Sequence, residues 1–294
     1  MKTLTRRRAI GYLWVIPALV LLLVFVYYPV VENFRLSLYS WNAFQPDAKY
    51  VGFNNFDRVF HDPIFWRAMV NNIWYAVVSV ICQVGLALVL AALLEGVVAP
   101  RLRGFLRTVY FIPATISITI VGLLFRIIYQ PEGLFNQFLG LFGIDSTRAW
   151  LGEQGTAIGS VIAMSQWQNL GYTAMLFVVA IQRIPKEYYE SATVDGAGPI
   201  RTFFNVTVPL VREMTTLLMI VTISGAFLVF NEIMVTTQGG PNNSSQVLGT
   251  WLYQSAFKND DMGYATVVAV VIFVFTFTAA VLQLTYARVR RVEQ

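Results

Sequence analysis

Few residues in this chain have the chemistry to act on anything. The single histidine, His61, stands beside Asp62-Pro63 in a short polar connection, and the single cysteine, Cys82, lies inside an apolar run. Neither a Cys-His nor a Ser-His-Asp arrangement can be assembled from them, and no set of ligand types is spaced for a metal. No Gly-x-x-x-x-Gly-Lys-Ser/Thr motif occurs, so no phosphate cradle of that kind is encoded. What remains is hydrogen-bonding and electrostatic chemistry, concentrated in two places. One is Ser165-Gln-Trp-Gln-Asn169 with Tyr172, in the middle of an apolar stretch. Ser165, Gln168, Asn169 and Tyr172 stand at i, i+3, i+4 and i+7 and so share one helical face. Neutral amides, a hydroxyl and a phenol suit the hydroxyls of an uncharged polyol or sugar; the same groups also serve as glue between membrane helices. The second place is the stretch from Pro185 to Pro209. Before Gly198 it holds Glu187, Glu190 and Asp195 against one base, Lys186.

Two weaker stripes accompany these. Ser224, Phe227 and Asn231 share a face further along, with Glu232 about 25 Å from Thr215 at 1.5 Å per residue, where simple solvation accounts for its charge. Asn72, Tyr75, Ser79 and Gln83 form a stripe that reads as core packing. Polar groups at mid-membrane are costly unless they face water or a partner, so each stripe marks an inward side.

The elements that must hold these residues are membrane spans. Of 294 residues, 56% are hydrophobic and only 13% charged, in long apolar blocks, which excludes an ordinary soluble domain. A span needs about 20 apolar residues, and six runs qualify: residues 10–30, 72–94, 109–129, 157–181, 215–236 and 264–287. The first is too long for a signal peptide and lacks a small-x-small cleavage site, so it reads as a retained anchor. Pro113 interrupts the third soon after it begins, predicting a kink or hinge. The expected architecture is all-α, one membrane domain over residues 1–294.

Lys2, Arg6, Arg7 and Arg8, then Arg101, Arg103 and Arg107, then Arg183, Lys186, Arg201 and Arg212, then Arg288, Arg290 and Arg291 fall on one side of these spans. Arg35, Lys49, Arg58, Arg67, Arg148 and Lys258 fall on the other. The richer side is cytoplasmic, which puts both termini and the 185–209 stretch inside. The bases form no continuous patch, so the net charge of +5 does not point to nucleic acid.

Within that stretch, Pro185 is placed to open a short helix in its first turn, and Gly196 to close it in the left-handed conformation. Gly198-Pro199 then restarts a helix leading into the fifth span. A helix lying on lipid is normally rich in Lys and Arg. An acidic helix bearing tyrosines is better suited to docking on protein.

The order Glu190-Ser191-Ala192, three residues, Gly196, nine residues, Val206-Thr207-Val208-Pro209 resembles the EAA loop of permease subunits in binding-protein-dependent ABC importers. That pattern is Glu-Ala-Ala, three residues, Gly, nine residues, Ile-x-Leu-Pro. Ser191 replaces the first Ala, and Val206 and Val208 replace Ile and Leu. Tyr50-Val-Gly-Phe-Asn-Asn-Phe56, Trp167, Gly171 and Gly239-Gly-Pro241 are similar to the carbohydrate-uptake branch, and residues 12–41 to the first of its two permeases. The resemblance implies a prokaryotic cell-membrane permease with a cytoplasmic coupling helix between the fourth and fifth spans. It implies a second permease, two ATPase subunits that bind ATP and Mg, and an extracytoplasmic solute-binding protein as partners. No cofactor and no enzymatic activity are expected on this chain itself. Glu187, Glu190, Ser191, Ala192, Asp195, Gly196 and Pro209 become the expected ATPase-coupling residues. Ser165, Gln168, Asn169, Tyr172, Ser224 and Asn231 become the candidate substrate pathway. The same machinery carrying glycerol phosphate, amino acids or metals is the nearest alternative, although a phosphorylated cargo favours a base on the pathway and none lies at a span centre. An ion-driven secondary transporter calls for buried Asp, Glu or His at span centres, and none is there.

Overall fold

The computed structural model describes residues 14–42, 47–96 and 98–292. Lys2, Arg6, Arg7 and Arg8 and the start of the first expected span lie outside the described residues, as do the side chains of Arg288, Arg290 and Arg291. The chain forms two compact units. One takes the residues up to Asp62 together with Leu252–Val271; the other takes Pro63–Trp251 with Ile272–Gln294.

Helices dominate because an apolar run in lipid must satisfy its own backbone groups. In the first unit, α1 (Trp14–Leu36) leads into a two-residue hairpin, Tyr39–Ser40 against Lys49–Tyr50, and then α2 (Asn54–Phe60). Asn55 is buried and donates to the Ser37 and Tyr39 carbonyls, both at 3.0 Å, which seats the Tyr50–Phe56 motif against the end of α1. Arg58 pairs with Asp261 at 2.5 Å.

The second unit holds the candidate functional residues. Its elements are α3 (Pro63–Gly96), α4 (Pro100–Thr115), α5 (Ile118–Ile128), α6 (Leu134–Gly140), α7 (Ala157–Gln182), α8 (Lys186–Val194), α9 (Pro199–Leu210), α10 (Arg212–Phe227), α11 (Asn231–Thr236) and α12 (Leu248–Tyr253). The final helix, α13 (Met262–Val292), begins in the first unit and ends in the second. Val84, Leu88, Leu94, Phe177, Ile181, Val211 and Leu218 make one buried cluster joining α3, α7 and the start of α10. Lipid tails are as apolar as these side chains, so the cluster gains from close packing rather than from leaving water.

Among the described residues the six expected runs are helical, with two differences. Among the described residues, three helices are long and apolar enough to span: Trp14–Leu36, Pro63–Gly96 and Met262–Thr285. Two bent pairs raise the number to five. The remaining run, the fourth, forms α7, about 39 Å long at 1.5 Å per residue, but Ser165, Gln166, Gln168 and Asn169 dilute its apolarity. Second, the third and fifth runs are broken. The third bends by 95° between α4 and α5, at Ile116 and Ser117 rather than at Pro113 itself. The fifth stops at Phe227 and restarts at Asn231. Both breaks are held by side chains from other helices. Gln168 on α7 donates to the freed Ile116 carbonyl at 2.8 Å. Asn72 on α3 donates to the Ala226 carbonyl at 2.7 Å and accepts from the Leu248 amide at 2.8 Å.

Candidate functional site

Two arrangements carry the candidate residues, both in the second unit. The first is the loop around α8. Pro185 is its N-cap, with ψ of 138°, one position before the first-turn placement expected from sequence. At the other end the Gly196 amide donates to the Thr193 carbonyl at 3.0 Å and the Ala197 amide to the Ala192 carbonyl at 2.9 Å. This pair of bonds is a Schellman closure, which needs a left-handed residue, and Gly196 has φ of +74°. Gly198, extended, then caps α9, whose first residue is Pro199.

The loop is exposed where it is acidic and anchored at its base. Glu187, Glu190, Ser191, Val194 and Asp195 line one open depression on its surface, and Val194 is 87% exposed. Ala192 is half-buried on the other side of the same helix. The Ser191 hydroxyl turns back onto the Glu187 carbonyl at 2.8 Å. Tyr189 Oη meets Thr207 Oγ1 at 3.2 Å, which braces α8 against the helix that follows. Ile184, Phe203, Val208 and Val211 pack on the core cluster at the base of the loop. Pro209, exposed, sits just before the 72° bend between α9 and α10. The arrangement presents three carboxylates on a short, stiff helix whose stem is tied into the packed interior.

The second arrangement is the polar part of α7. Ser165 and Gln168 are buried, at 2% and 6% exposure. Asn169 is half-buried and donates to the Ser165 carbonyl at 3.0 Å. Tyr172 is 49% exposed and tilts over Phe111 of α4 with ring centroids 6.5 Å apart. The face therefore grades from inside to outside along one helix. Gln168 spends its amide nitrogen on Ile116, while its Oε1 is buried without a partner. Tyr75 of α3 is likewise buried, with Ser165 facing its hydroxyl.

Ser224 and Asn231 do not share one continuous helical face. The break at residues 228–230 puts them on separate helices, Ser224 half-buried on α10 and Asn231 exposed at the start of α11. Phe227 between them is buried and stacks on Phe275 at 4.7 Å. The Asn72, Tyr75 and Ser79 stripe is buried, and its continuation Gln83 donates to Gln166 Oε1 at 2.8 Å, while Gln166 donates to Ser79 at 3.1 Å. Sequence reasoning left Gln166 off the polar face; its signal was a complementary amide, Gln83, on another apolar run. Glu95 was missed as well. It lies at the end of α3 with Arg103, Arg107 and Gln182 around it. Its signal was an acid closing an apolar run, followed by two arginines four residues apart.

Residues 83–294 match the family described as binding-protein-dependent transport system inner membrane component. The chain belongs to this family. The permease is 48% identical over 98% of its length to "Probable ABC transporter permease protein YurN" of Bacillus subtilis (strain 168), covering 99% of that protein. It is 35% identical over 90% of its length to "Diacetylchitobiose uptake system permease protein NgcF" of Streptomyces coelicolor, covering 78% of it. Among solved structures, a bacterial ABC transporter involved in import of the acidic polysaccharide alginate matches with a TM-score of 0.82, at 23% identity and 96% coverage of both chains. That likeness places the fold. The permease is a membrane-embedded transport subunit that works with a separate binding protein.

Proposed function

We infer that this permease is one transmembrane half of an ATP-driven ABC importer for a sugar or oligosaccharide. The α8 helix is the element on which a separate ATPase subunit docks. The observation that carries the coupling reading is the exposed acidic helix, closed at Gly196 and anchored at its stem in the core. A lever must be stiff along its length and free at its tip, and α8 is both. Coulomb attraction from Glu187, Glu190 and Asp195 favours a basic groove on the partner, and ATP and Mg belong to that partner. A second permease completes the pathway, and a binding protein delivers the cargo from outside. For ATP to move the permease, docking free energy must differ between two states, since equal affinity for both shifts nothing.

The sugar reading is supported by the relative named above for diacetylchitobiose uptake and by the chemistry of α7. Ser165, Asn169 and Tyr172 offer neutral hydrogen-bonding groups, and the phenol adds an apolar ring face suited to a pyranose. The test uses the complex with its ATPases and binding protein in vesicles. Glu190→Lys should lose uptake and weaken ATPase association, and an acidic replacement in the ATPase groove should restore part of both. Uptake at the wild-type rate in Glu190→Lys, at normal expression, overturns the docking role. Direct binding of sugars, against glycerol phosphate as competitor, to the binding protein that co-purifies with the permease decides the cargo class.

A further inference from the structure

One charged cluster takes no part in docking or in the polar face. Glu95 closes α3, and its side chain is only 11% exposed. Arg103 donates to one carboxylate oxygen at 3.2 Å and Arg107 to the other. Gln182, the last residue of α7, donates to the same carboxylate at 3.2 Å. Arg103 also caps the end of α3, donating to the Glu95 carbonyl at 2.8 Å and the Val98 carbonyl at 3.1 Å. Arg103 and Arg107 are four residues apart on α4 and so project from one side of it. A single carboxylate thus joins the ends of three helices, and Gln182 stands three residues before Pro185, the cap of α8.

Such a cluster adds little net stability over apolar packing, but it fixes one geometry, because removing the carboxylate leaves two half-buried arginines without their counter-charge. Apolar contacts beneath it, among Leu94, Leu106, Ile181 and Ile184, permit sliding; directional bonds to a carboxylate do not. The rod that leaves the cluster is α4. At its far end α4 meets the polar part of α7: Gly171 lies so close that an added Cβ would fall 1.7 Å from the Tyr110 carbonyl oxygen. The Ile116 carbonyl beyond it is held by Gln168.

We propose that Glu95 is a positioning residue for energy coupling, clamping the stem of α8 to α3 and α4 so that a displacement of α8 reaches the Ile116–Gln168 contact through α4. This inference rests on the docking role of α8. Its test measures uptake, its Vmax and KM, and uptake per ATP hydrolysed in the full complex in vesicles. Glu95→Gln keeps the volume and removes the charge. It should lower uptake per ATP by roughly tenfold, within the range typical of coupling between sites, with KM unchanged; Glu95→Asp should recover part of the loss. A merely structural role would lower uptake and ATP hydrolysis together, and that result overturns the proposal. Gln182→Met cuts only the strut from α7 and leaves both arginine pairs, and Gln182 is exposed, so this variant is expected to assemble even where Glu95→Gln does not. It should lower the same ratio by less, and a wild-type ratio in Gln182→Met overturns the clamp. If Glu190→Lys loses coupling while both of these variants keep it, the clamp fails and the docking role stands. If Glu190→Lys couples normally, both fall.

Discussion

Gln168 and Asn169 are sequence neighbours with different work. Gln168 is tied to the broken backbone of α4 and α5 through the Ile116 carbonyl, whereas Asn169 bonds only within its own helix, to Ser165. Gln168→Leu leaves a backbone acceptor unpaired, a cost of about 1–3 kcal/mol. It should lower the melting temperature and the yield of assembled complex. Asn169→Leu should leave both unchanged and impair uptake. The reverse pattern, assembly failing in Asn169→Leu, assigns that residue to helix association. Glutamine and asparagine are alike to a periodicity argument. Only the position of the helix break separates them.

At the scale of elements, two glycines set what the helices can do. Gly196 has positive φ with open space around it, so a side chain there meets strain and not collision. Gly196→Val should cost about 1–2 kcal/mol from the left-handed backbone alone. It should also disturb the end of α8 and weaken ATPase association, while the spans still insert. Pull-down of the ATPase against expression of the permease separates these effects. Gly171 is the opposite case, with negative φ and no room. Its missing Cβ lets α7 lie against the Tyr110 backbone. Gly171→Ala must push α4 and α7 apart, and should fall in the severe class of more than about 4 kcal/mol, read as loss of folded protein in detergent. Normal yield of Gly171→Ala would show that α4 moves freely on α7.

For the whole molecule, the distribution of Lys and Arg predicts a cytoplasmic α8 and an outward-facing connection after α11. In a chain with Cys82 replaced, Asn243→Cys should react with an impermeant thiol reagent applied from outside, and Asp195→Cys should not. Labelling of Asp195→Cys from outside would invert the topology and remove the docking role with it. The connection after α11 is well held for such a probe. Asn71 donates to the Ser244 and Gln246 carbonyls at 2.9 and 2.7 Å, and Arg67 to the Asn242 carbonyl at 3.0 Å.

The sequence alone determined the parts governed by local chemistry. Apolar runs longer than a bilayer is thick had to be helices. Gly196, Gly198 and Pro199 had to punctuate the charged stretch as they do, because φ limits and missing amide protons act within a turn of the chain, and Pro185 marks the start of α8 to within one position. The tertiary structure decided where the third and fifth runs break, since those breaks survive only where Gln168 and Asn72 arrive from other helices to take the freed backbone groups. It also decided that Ser224 and Asn231 part company, and that Glu95 gathers Arg103, Arg107 and Gln182. These depend on contacts between residues far apart in the chain. A helical period read along one segment has no access to which partner a polar side chain will meet across the next.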